Sequence, residues 1–130
     1  MAAAPIYTGT VNVGSGLVPG TADTSRTAPS NATTIFTAGS SGSRIEEIIF
    51  QGVGTTVAGI VCVFRHDGST YHLIDEVAIT AVTPSTTVAA FRTTRQYANL
   101  LLKSGDTLRV TTQIAGNQSL VKVTAEGGDF

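Results

Sequence analysis

The sequence is short of charge. Only 13% of its 130 residues are Asp, Glu, Lys or Arg, about half the share usual in soluble domains. Six arginines and two lysines are spread singly from Arg26 to Lys122, and the formal net charge is −1. Binding phosphates needs clustered cations, so nucleic acid is not an expected partner. Tryptophan is absent and Cys62 stands alone, which excludes an internal disulfide and leaves a buried small hydrophobe as the role of Cys62. No apolar run approaches the ~20 residues of a membrane-spanning helix. Met1 to Tyr7 lacks the basic segment and apolar core of a secretion signal, so neither membrane nor export is expected.

Groupings that carry chemistry are also scarce. His66 and His72 flank Asp67, but no cysteine or third histidine joins them as a metal set. The same residues with Asp75 are the sole basis for a small-hydrolase reading, and no Gly-x-Ser-x-Gly elbow accompanies them. Glu46 and Glu47 are adjacent, so on a regular strand they face opposite ways and do not pair as acid and base. Gly52-Val-Gly54 has no lysine and no following helix to cradle a phosphate. The aspartates are too dispersed for a calcium loop. Neither an enzyme nor a cofactor is expected.

What is present is threonine, 21 residues of it, with valine and isoleucine in short alternating runs. β-branched side chains favour pleated strands. Thr33–Thr37, Arg44–Gln51, Val57–Arg65, Thr70–Thr80, Thr87–Thr94, Thr107–Gln113 and Ser119–Ala125 read as strands. Gln96–Lys103 suits strand or helix equally. Asp67-Gly68, Thr83-Pro-Ser85, Ser104-Gly-Asp106 and Ala115-Gly-Asn117 supply turns, and Glu126–Phe130 reads as a tail. Strands at intervals of about 10–13 residues signal an antiparallel sandwich or barrel, and the fold expected is an all-β, antiparallel, jelly-roll-like β-sandwich of about 7–8 strands. Phe36, Phe50, Phe64, Phe91, Tyr71 and Tyr97 are expected to fill its core and strand ends.

Residues 1–32 differ from the sandwich domain at 33–130. Gly9, Gly14, Gly16 and Gly20, with Pro5, Pro19 and Pro29, interrupt any regular element. The segment is expected to be an extended arm ordered either by the body of its own domain or, the favoured reading, by a neighbouring chain. Ile6, Tyr7, Val11, Val13, Leu17 and Val18 are its candidate partner-binding residues, able to add an edge strand by main-chain pairing.

Several stretches resemble a group of small proteins encoded beside the major capsid protein in tailed bacteriophages. They are Thr37-Ala-Gly-Ser-Ser-Gly-Ser-Arg44, Gly54-Thr-Thr-Val-Ala-Gly59, Phe64-Arg-His-Asp-Gly-Ser-Thr-Tyr-His-Leu-Ile74, Thr83-Pro-Ser-Thr-Thr-Val-Ala-Ala-Phe91 and Ala125-Glu-Gly-Gly-Asp-Phe130. The resemblance implies a capsid decoration, or cement, protein of β-sandwich or β-tulip fold. It implies a homotrimer that binds the major capsid protein on the outside of the shell and bridges neighbouring capsomers. The protein is then made in the host cytoplasm and ends on the virion surface. The alternative is a tail, neck or baseplate fibre component with a receptor- or carbohydrate-binding sandwich, using the loops around His66–Thr70 and Ala115–Gln118.

Overall fold

The computed structural model describes residues 9–115, 117 and 120–130. Eight strands make it up: β1 (Thr10–Leu17), β2 (Thr33–Thr37), β3 (Ser43–Gly52), β4 (Gly59–His66), β5 (Tyr71–Ile79), β6 (Arg92–Leu102), β7 (Thr107–Thr112) and β8 (Val121–Asp129). They form two antiparallel sheets, a front sheet ordered β1-β8-β3-β6 and a back sheet ordered β2-β7-β4-β5. The pairs β1·β8, β2·β7, β3·β6 and β4·β5 describe one long hairpin rolled over on itself. That is the wiring of a jelly roll, so the expected all-β sandwich is the fold. Between the sheets lie Phe36, Ile45, Ile48, Phe50, Val63, Leu108, Val110 and Val123, all buried.

Local chemistry explains most of the turns. In the β4–β5 hairpin Gly68 sits at φ +101°, a left-handed conformation that glycine adopts without steric cost. The Asp67 carboxylate closes the turn by accepting from the amides of Ser69 and Thr70. Asp106, buried at the β6–β7 turn, accepts from the Lys103 amide and faces Arg65 at 3.3 Å.

Three stretches depart from the sequence reading, and a fourth, Gln96–Leu102, which it left open, takes one of the two forms expected. Thr87–Phe91 belongs to a loop, and β6 begins only at Arg92. Pro84 breaks the ladder there, and the Ser85 hydroxyl accepts from the amides of Thr87 and Val88, a local turn that competes with strand pairing. Gln96–Leu102 is strand, because β3 supplies a partner ladder. The presumed tail Glu126–Asp129 lies between β1 and β3, where Gly127 permits a close approach to the Arg44 carbonyl. In β3 a bulge falls between Ile45 and Glu47. Ile45 and Ile48 both point into the core in consequence, and Glu46 and Glu47 line one surface depression together rather than facing opposite ways.

The leader is part of the sandwich. Thr10–Leu17 pairs residue by residue with Asp129–Lys122 of its own chain, in place of the expected pairing with a neighbour. Gly14 and Gly16 make this packing work: a Cβ on Gly14 would run into the Ile35 carbonyl of β2. Val18 then enters the core, fully buried. Ile6 and Tyr7 lie outside the described residues.

Candidate interaction surfaces

Residues 19–32 leave the front sheet and cross to the back one. The Asp23 amide donates to the Thr112 carbonyl at 2.9 Å, and Arg26 pairs with Glu76 at 2.6 Å. Asp23 staples the segment to itself, its carboxylate accepting from the amides of Ser25, Ser30 and Asn31. Those donors, Ser25 foremost, hold the carboxyl below its usual range. Cys62 and Phe64 alternate with the core-facing Val61 and Val63, so they point to the outer side of the back sheet, yet both are fully buried. Burial pushes the Cys62 thiol up. The crossing segment straps this sheet through its Thr112 and Glu76 contacts.

Beside the strap, Arg109 bonds the Tyr71 hydroxyl at 2.9 Å and lies 5.6 Å from its ring. Tyr71 in turn meets Phe64 edge-on and His66 at 4.4 Å. His66 accepts from the Gly68 amide, whereas His72 bonds Asp67 at 3.0 Å. His72 and the turn amides hold the Asp67 carboxyl well below its usual range. The two histidines thus serve different partners. Among the described residues no three His, Cys, Asp or Glu side chains converge on a metal position.

Asp75 closes the β5/β6 side of the sandwich, accepting from the Tyr97 hydroxyl at 2.8 Å and facing Arg95 at 3.5 Å. Burial, with Asp75 as hydrogen-bond acceptor, pushes the Tyr97 phenol well above its usual range. Asp129 closes the opposite corner, held by Ser43 and Asn12. Both groups are structural.

Apart from Leu73 on β5, the large exposed apolar side chains among the described residues fall in two zones. On the outer face of the front sheet are Val11, Val13, Leu17 and Leu101, at 82%, 54%, 41% and 55% exposure, with Phe130 beside Leu101. At one end of the sandwich are Val53, Val57, Val88 and Ile114, carried by the β3–β4, β5–β6 and β7–β8 connections. Of the candidate arm residues, Val11, Val13 and Leu17 share the outer front face and Val18 does not reach the surface. The loop-end patch gave no periodic signal, because its residues come from three separate connections. The strap contact of Arg26 with Glu76 joins positions 50 apart, which no local pattern reveals.

These features define a class: a jelly-roll module with one strapped sheet, one open sheet and an apolar loop end. No protein-family model matches the chain, no curated protein matches it in sequence, and no solved structure matches it.

Proposed function

We propose that the chain is a structural virion protein, a decoration or cement protein that binds the outside of a major capsid shell and braces neighbouring capsomers. The observation that carries the reading is the apolar loop end, Val53, Val57, Val88 and Ile114, held on a sandwich whose Asp23, Asp67, Asp75, Asp106 and Asp129 carboxylates are engaged in fastening the fold. Exposed apolar side chains gathered at one end of a domain point to a surface that meets a partner. The resemblance of the turn and strand motifs to phage decoration proteins supplies the partner class. Low charge suits this role, because little solvation is lost when such a surface is covered.

Co-expression with the capsid protein encoded in the same genome tests it. The chain is expected to co-sediment saturably with expanded shells and to raise their resistance to heat. Val57→Ser and Ile114→Ser together are expected to lower that affinity at least about tenfold, as loss of two apolar anchors does elsewhere. A chain that stays in the supernatant at every ratio has no such function.

The same loop end supports the second reading, a receptor- or glycan-binding head, since jelly rolls also serve as lectin domains. Saturable binding on a glycan array, without shell binding, would establish it instead.

A further inference from the structure

We propose that the open front sheet is a self-association face through which two copies pack about a two-fold axis. Strand register carries this proposal, independently of the capsid reading.

Side chains on the outer face lie in rows across the four strands. One row holds Val13, Glu126, Glu47 and Gln96; two residues along comes Ser15, Thr124, Ile49 and Thr94; two further comes Leu17, Lys122, Gln51 and Arg92. Over these three rows the face carries two anions at one end and two cations at the other, and the Arg44–Glu46 ion pair lies beyond the anionic row, its charges already matched within the chain. Among the described residues none of Glu47, Glu126, Lys122 and Arg92 forms an ion pair within the chain. Glu126 and Glu47 sit directly opposite each other on adjacent strands, a like-charge arrangement that destabilises an isolated sheet.

A two-fold axis in the plane of the face, running along the Thr124–Ile49 row, resolves these features together. It keeps each strand over its counterpart and exchanges the outer rows. Lys122 then lies across from Glu126, and Leu17 across from Val13. Gln51 meets Glu47, and Ile49 meets its own copy. An axis along the strands would set glutamates against glutamates. Because both halves of the complementarity lie on one face, the contact is isologous and closes at two copies. This differs from the three-fold association that the family resemblance implies.

The face measures roughly 20 Å by 20 Å from strand rise and spacing, ~400 Å² per copy, which places the contact at the weak end of specific interfaces. A concentration-dependent dimer is expected.

Sedimentation velocity of the full chain from about 10 to about 500 µM provides the test. The expected result is a monomer–dimer equilibrium. Lys122→Glu and Glu126→Lys are each expected to raise the dissociation constant at least about tenfold. The double reversal, which restores opposite charges across the axis, should return it to within a few-fold of the starting value. Circular dichroism confirms that each variant is folded. A monomer throughout this range, a trimer, or single reversals without effect would overturn the two-fold. So would a double reversal that behaves like the single ones.

Discussion

At the scale of the residue, the core and the covered face behave differently. Phe50 lies between the sheets, fully buried, where truncation leaves a cavity that close-packed neighbours fill only in part. Phe50→Ala is therefore expected to cost about 3–5 kcal/mol, read as a lower urea midpoint with an unchanged slope. Cys62 is buried on the outer side of the back sheet beside Gln113 and the Glu76 that fastens the strap, so its exposure depends on local opening rather than on global unfolding. As the only thiol, it reports on that opening without engineering. Arg26→Ala removes the fastening to Glu76, an exposed ion pair that contributes little to global stability. Thiol labelling is nevertheless expected to accelerate several-fold. An unchanged labelling rate would mean that backbone contacts alone hold the strap.

At the scale of the element, acid should act on the same strap through Asp23. Its carboxyl is held below the usual range by the amides of Ser25, Asn31 and Ser30. A group with a lowered folded value contributes fully above its unfolded value, about 3.9, and loses that contribution as the pH falls through the folded one. Labelling of Cys62 with a dithiodipyridine, which reports in acid, is expected to speed up below about pH 4. In Asp23→Asn it should already be faster at neutral pH and lose this acid step. The strap also shows where legibility in the sequence ended. Hydrophobic alternation located β3, β4, β5 and β7 because each has a partner face to satisfy and a turn to bound it. It failed at Thr87–Phe91, where Ser85 and Pro84 commit the chain to a turn. It failed again at Glu126–Asp129, where glycines that resemble a tail permit a tight ladder. The leader was misread for the same reason: Gly14 and Gly16 suggest disorder in isolation, yet their missing side chains are what let β1 meet β2. Of the surfaces, Val11, Val13 and Leu17 were singled out in the sequence, but as an arm pairing with another chain rather than as the outer face of the front sheet. The loop-end patch was not, being assembled from distant connections.

At the scale of the whole molecule, the pairing scheme makes a prediction of its own. The rolled hairpin is closed at the β4–β5 turn and open at β1 and β8, whose ends meet where the Gly9 amide donates to the Asp129 carbonyl at 2.9 Å. Removing residues 2–20 would strip out both an entire strand and the buried Val18, so truncation is a poor probe of what the leader does. Permutation keeps every strand. Joining Phe130 to Gly9 through a short flexible linker and opening the chain at Gly68, an exposed turn with open space around it, exchanges the closed and open ends while preserving all four long-range pairs. Exposed turn tips are the sites that tolerate such cuts. The permutant is expected to reach the same two sheets, seen as an unchanged far-ultraviolet spectrum and a single cooperative thermal transition. Its folding rate is the informative quantity. If β4–β5 forms first and the other pairs zip from it, opening that hairpin lengthens the loop to be closed and slows folding by the added closure entropy. A permutant that folds as fast as the parent would place the nucleus elsewhere, in the β3·β8 and β4·β7 pairs that lie at the centre of each sheet. In that case the order of assembly follows burial, and the turn at Gly68 serves only to connect.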